Sequence, residues 1–175
     1  INILQQKRYL LENIPFNRGD LLISTTFSSF LAFLFNLVVY LLLSLALGVI
    51  PIYSSLVYLP ILMGIYFLLV MGIGMILSTI SIHFKDIQHF WDMLMLAGLW
   101  LTPILYPRSL LDERLPTLIY ANPVSGLIIN IREVLLYGRN PDFELLAFNS
   151  AYTILIFAIG FIVFRLYSHK AAEKI

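Results

Sequence analysis

Between Asp20 and Lys85 no Asp, Glu, Lys or Arg interrupts the chain, so residues 21–84 form a run of 64 without a formal charge. A helix rising 1.5 Å per residue crosses the hydrocarbon layer in about 20 residues. The run is too long for one crossing and about right for two, with a break at Ile50-Pro51-Ile52-Tyr53-Ser54-Ser55. Further uncharged runs cover 93–107 and 145–164. The predicted spans are Leu21–Val49, Val57–Ile82, Phe90–Tyr106 and Leu146–Phe164. None shows the dyad alternation of a barrel strand, and lipid demands that backbone groups bond internally, so these are helices. The expected fold is an all-α integral membrane protein with four transmembrane helices.

Composition agrees. Only 12% of residues are charged and 60% are hydrophobic, where a soluble domain carries about 25% charge. A net charge of +1 is too small to steer a polyanion, so no nucleic-acid partner is expected. The absence of cysteine excludes disulfides and a thiolate metal site. The sequence opens on Ile1-Asn2-Ile3 rather than Met and carries no signal-peptide pattern. It reads as one transmembrane domain over 1–175, the C-terminal portion of something longer.

Orientation follows from Lys and Arg. Lys7, Arg8, Arg18, Lys85, Arg165, Lys170 and Lys174 share one side of a four-span arrangement. Arg108, Arg114, Arg132 and Arg139 lie on the other, mixed with five acids. The positive-inside rule places both ends of the chain in the cytoplasm.

Two connections stand out. The cytoplasmic one, His83-Phe84-Lys85-Asp86-Ile87-Gln88-His89, is very short. Asp86 is expected to cap the third span, where a carboxylate suits the helix dipole; the loop also suits docking of a cytoplasmic partner. The external one, 107–147, is too long and too apolar for a plain loop. Asn122-Pro123 followed by an apolar run and Gly138 gives a helix start and stop. Val124, Leu127, Ile128, Ile131 and Leu135 are predicted to share one face, with Arg132 and Glu133 off it. Ser109–Ala121 reads as a second short amphipathic helix interrupted by Pro116. This pair fits a re-entrant hairpin or an interfacial lid on the external side. Arg132 has two readings: a bond to a neighbouring carbonyl or sugar oxygen, or a side chain that snorkels to water or pairs with Glu133 or Asp142.

The spans hold few reactive groups. Asn36 is expected to bond another helix. Gly74 and Ser78, continued by Ser81, form a small-residue stripe for close helix approach. His83, His89 and His169 all lie at or beyond the cytoplasmic edge. No G-x-S-x-G, H-E-x-x-H or P-loop occurs. No enzyme chemistry and no resident cofactor or metal is expected, and no charged residue sits mid-span to couple an ion.

Four segments, in order, resemble the type 2 ABC transporter permeases that export polysaccharide, lipopolysaccharide O-antigen, capsule or teichoic acid. They are Asn13-Ile14-Pro15-Phe16, Ile82-His83-Phe84-Lys85-Asp86-Ile87, Leu101-Thr102-Pro103-Ile104-Leu105-Tyr106-Pro107, and Asn122-Pro123 with Arg132 and Gly138. The second departs from the family's usual Phe-Arg-Asp by Lys85, and the third from its Ser-Pro-Ile-x-Tyr by Thr102. The resemblance implies a permease of six spans, of which the first two are missing here. It implies a homodimer in a bacterial or archaeal plasma membrane, with a glycan or lipid-linked glycan as cargo. A separate ATPase subunit would carry ATP and Mg. Residues 1–20 would be a cytoplasmic coupling segment. Lys7, Arg8, Pro15, Phe16, His83, Lys85 and Asp86 would face that ATPase. Pro103, Tyr106, Asn122, Pro123, Ile128, Arg132 and Gly138 would build an external gate within 107–147. The alternatives are a drug or small-molecule exporter of the same family, or a non-ABC secondary transporter.

Overall fold

The computed structural model of the chain describes residues 18–48, 54–84, 86–104, 106, 108 and 116–168. Lys7, Arg8, Pro15, Phe16 and Lys85 lie outside the described residues. The described residues are helical, with no strand among them. The helices are α1 (Arg18–Ala46), α2 (Leu59–His83), α3 (Ile87–Leu101), α4 (Pro116–Ala121), α5 (Pro123–Leu135) and α6 (Phe143–Ser168), with a 3-10 turn at Ser54–Tyr58 before α2.

Three stretches are long and apolar enough to cross a membrane: Leu21–Ala46, Ser54–Ser81 and Phe143–Tyr167. They match three of the four predicted spans. The expected span Phe90–Tyr106 is represented by α3, whose 15 residues reach only about 22 Å at 1.5 Å each. It stops at Leu101 because Pro103 has no N–H and disfavours helical backbone at Thr102; Thr102 is extended, at φ −106° and ψ 136°.

Helix directions follow from paired contacts. Phe30 meets Phe67 and Phe33 meets Tyr66, with ring centroids 4.7 and 5.5 Å apart, while Leu21 and Leu77 line one groove. α1 and α2 are therefore antiparallel. Tyr58 packs edge-on against Phe143, and Gly72 lies against Phe157. Both pairs are offset by the same 85 residues, so α2 and α6 run parallel. A Cβ on Gly72 would stand 2.8 Å from the Phe157 Cα, and one on Gly160 would stand 2.5 Å from the Gly72 carbonyl oxygen. The close approach is thus made by Gly72 and Gly160. The predicted Gly74 stripe does not make it: a Cβ on Gly74 would meet nothing within 4 Å. Ser78 and Ser81 donate within their own helix, to the Met75 and Ser78 carbonyls.

Because α2 and α6 are parallel, the chain between them returns to the side on which α2 began. α3 starts this return, and α5 occupies the space between the first halves of α2 and α6. Ser55 Oγ donates to the Val134 carbonyl at 3.2 Å, and Val124 lines a groove with Leu69 and Ile73, so α5 runs antiparallel to α2. The core sits here, around Leu62, Leu69, Leu127 and Val134, with a smaller cluster of Ile119, Ile129 and Leu145. By contrast α3 buries none of its residues, and Phe27, Phe35 and Leu42 of α1 stay exposed, as a lipid-facing surface allows.

Some expectations change. Asn36 Nδ2 donates to Ala32 of its own helix at 2.9 Å and does not bond another helix. Pro116 opens α4, as suits a residue whose missing N–H would be unpaired there anyway; residues 109–115 of the expected helix Ser109–Ala121 lie outside the described residues. Asp86 occupies the N-cap position of α3, but its side chain makes no capping bond, and only its carbonyl accepts, from Phe90 N–H at 3.3 Å. Its backbone is in the helical region, unlike the extended backbone typical of a capping residue.

A candidate functional site where the third helix meets the external hairpin

α5 begins as its sequence dictates. Asn122 is extended and its Oδ1 accepts from Val124 N–H at 3.0 Å, while Pro123 supplies a preset φ at the first helical position. The helix ends at Leu135, and Gly138 turns the chain at φ +64°, where a side chain would be strained. Across that turn Arg139 N–H reaches the Glu133 carbonyl at 3.0 Å.

Arg132 lies ten residues beyond Asn122 on the same helix and faces the irregular segment after α3. Its Nη2 donates to the Pro103 and Ile104 carbonyls at 2.7 and 3.0 Å, and its Nη1 to Tyr106 at 3.2 Å. These carbonyls need such a donor. Pro103 ends the helix, so the last carbonyls of α3 and those after it find no N–H in the helical ladder. A planar cation with five donors suits several carbonyls at once. Asn122 Nδ2 adds a bond to Thr102 Oγ1 at 3.3 Å, and Tyr106 Oη donates back to Trp100 at 3.0 Å. Pro103, Tyr106, Asn122, Pro123 and Arg132 thus form one junction, in which α5 clamps the end of α3.

Of the readings of Arg132, the bond to neighbouring carbonyls is the one present. The acids proposed for it are engaged elsewhere. Glu133 pairs with Arg139 at 3.8 Å and Asp142 with Arg108 at 3.3 Å. Ile128 and Gly138 lie outside the junction, and Ile128 is half-buried.

The predicted face packs into the core, where Leu127 is buried and Val124, Ile131 and Leu135 lie against it, and α5 buries a second side as well. Ser125, Gly126, Leu127, Ile129, Asn130 and Val134 are buried, because α5 touches α2 on one side and α6 on another. Asn130 Oδ1 accepts from Asp142 N–H at 2.8 Å and so helps hold the α5–α6 turn. Asn130, and the buried Asn149 and Thr153 of α6, were absent from the predicted site. Their signal was legible: polar side chains inside apolar runs, with Asn149 and Thr153 spaced four apart.

At the opposite end of α3 stands the short loop. His83 closes α2. Phe84 is 67% exposed beside exposed Asp86. One rod, α3, therefore connects this loop to the Arg132 junction. A groove of about 460 Å³ lies between α1, α2 and α3, lined by Leu22, Ile73, Leu77, Trp91 and Met95 among others. Among the described residues no three His, Asp or Glu side chains come together to hold a metal.

The sequence profile described as ABC-2 type transporter matches residues 11–136. The chain is 27% identical over 174 residues to an O-antigen export system permease protein RfbA of Myxococcus xanthus, covering 98% of this chain and 66% of the relative. Two such proteins of Klebsiella pneumoniae are 26% and 24% identical over 103 and 102 residues, covering 58% of this chain and 39% of each relative. The chain thus spans just under two thirds of the first relative and well under half of the others. No solved structure gives a significant match.

Proposed function

The chain belongs to the ABC-2 type transporter family, and from that premise we propose that it is the membrane-spanning permease of an ATP-driven exporter of polysaccharide or lipid-linked glycan. Its apolar helices make it a multi-pass membrane protein. The observation that carries the glycan reading is the likeness to an O-antigen export permease along 98% of the chain.

In this reading two copies enclose the path in a plasma membrane, and an ABC-type ATPase docks from the cytoplasm with ATP and Mg. The hydrolytic chemistry belongs to that partner. The permease contributes a surface that receives the motion and a structure that opens. The receiving surface is the loop at His83–Asp86 with Lys7, Arg8, Pro15 and Phe16, and exposed Phe84 gives the loop an apolar contact. α3 carries the motion outward. It suits this task because it buries no residue of its own, so moving it breaks little packing. The far end of α3 is bonded to α5 by Arg132 and Asn122, and α4–α5 form the outer gate.

The parallel course of α2 and α6 supports a fourth crossing made by α3 with the residues after it. The antiparallel course of α5 beside the first half of α2 supports a re-entrant hairpin whose inner tip is Asn122-Pro123. Both chain ends then lie in the cytoplasm.

Orientation is tested with single cysteines in this cysteine-free chain. An impermeant maleimide outside intact cells should label Ser54→Cys and Glu113→Cys but not Ser168→Cys. External labelling of Ser168→Cys overturns the orientation. Cargo is tested by reconstituting the full-length permease with its ATPase and following ATP-dependent transfer of a lipid-linked glycan. Transport of small drugs with no glycan movement overturns the assignment.

A further inference from the structure

Four side chains between α5 and α6 are sealed from solvent and hold polar atoms that no protein group reaches. Ser125, Asn130 and Asn149 are 0% exposed and Thr153 is 1% exposed. Ser125 Oγ, Thr153 Oγ1, both polar atoms of Asn149 and the Asn130 nitrogen have no hydrogen-bond partner. Helix register sets them along one seam. α5 and α6 are antiparallel: Asn130 bonds Asp142, and Gly126 faces the Asn149 amide, which takes the place a Cβ on Gly126 would occupy. Continuing that register sets Ser125 near the Asn149–Thr153 turn, since Thr153 follows Asn149 by four residues on one face.

Leaving such groups unpaired costs about 1–3 kcal/mol each, so an unpaired cluster of this size is untenable. The chemistry of the cluster selects what pairs it. The Asn130 and Asn149 amides offer N–H donors, the Asn149 oxygen offers an acceptor, and the two hydroxyls offer both. A cation would leave the amide donors unmet, and an anion would face the bare Asn149 oxygen. Either would bring an uncompensated charge into a buried interface without a charged side chain among these four. Small neutral molecules that donate and accept satisfy these groups along the seam, and buried waters do this in proteins with about three bonds each. Exchanging the Asn149 oxygen and nitrogen changes nothing, because both are unpartnered.

We propose that Ser125, Asn149 and Thr153, with Asn130 one turn further along α5, form a sealed water-binding site between α5 and α6. The full-length protein in lipid bilayers, labelled with ¹³C and ¹⁵N at asparagine, leucine and phenylalanine, is examined by water-edited solid-state NMR. The Asn149 side-chain signal is assigned by its loss in Asn149→Leu or, if that variant misfolds, through the Phe148–Asn149 sequential pair. It should gain polarisation from water far faster than Leu127, which is equally buried but apolar. In the double variant Ser125→Ala/Thr153→Val that gain should fall toward the Leu127 level. A high-resolution density map should show solvent density within hydrogen-bond distance of the Asn149 amide. Polarisation of Asn149 only at the Leu127 rate, or density showing Asn149 bonded directly to Ser125 or Thr153 with no solvent between, overturns the site.

Discussion

Among the described residues, replacing Arg132 by alanine removes the bonds from α5 to the carbonyls after α3 and leaves the Asn122–Thr102 contact at 3.3 Å. A hydrogen bond to a charged group contributes about 1.5–3 kcal/mol when sheltered. Two of the three Arg132 bonds are partly buried, to Pro103 and Tyr106, while the Ile104 bond is exposed. Counting the first two and discounting for solvent screening gives a loss of roughly 2–4 kcal/mol from the junction. That corresponds to about 30- to 1000-fold in its closed-to-open ratio. Arg132→Lys keeps the charge but not the planar fork, and should restore only about half of the loss. The assay uses a Thr102→Cys/Asn122→Cys pair, whose native side chains meet at 3.3 Å. The pair should form a disulfide quickly beside Arg132, several-fold more slowly with Arg132→Ala, and at an intermediate rate with Arg132→Lys. Glycan export by the full-length permease should slow in the same order without ion leak. If Arg132→Ala cross-links and exports like the parent at equal protein levels, α5 does not clamp α3 and the reasoning fails.

Further outcomes are expected elsewhere. Gly72→Ala should push α2 from α6 and lower stability by about 1–3 kcal/mol, the usual effect of overpacking. Gly74→Ala, whose Cβ meets nothing within 4 Å, should be neutral or stabilising by up to about 1 kcal/mol; thermal unfolding of the detergent-solubilised protein compares the two. Asp86→Ala should change stability by less than about 0.5 kcal/mol, since no side-chain cap is lost. The swap Lys85→Glu/Asp86→Lys should leave the permease in the membrane but separate ATP hydrolysis from export. Normal export by that variant removes the docking role of the loop.

Elements whose cause is local were legible in the sequence. The uncharged run 21–84 is a statement about backbone in lipid, and it placed α1 and α2. Asn122-Pro123 and Gly138 mark the limits of α5 because capping, a preset φ and a left-handed turn are properties of single residues. Helix pairing was not legible for a physical reason. Apolar side chains serve equally against lipid and against protein, so no amphipathic stripe marks the buried side of a membrane helix. Gly74 and Gly72 therefore read alike, and only tertiary structure sets Gly72 against Phe157 and Gly160. The same holds for the polar groups. The sequence showed that Arg132 needs partners, but Pro103, Ile104 and Tyr106 stand 26 to 29 residues away. Which of them it meets depends on where Pro103 ends α3 and on how deep α5 sits between α2 and α6. The burial of Asn130 and Asn149 was decided in the same way, by α6 closing over a second side of α5, beside the apolar face that its pattern marks.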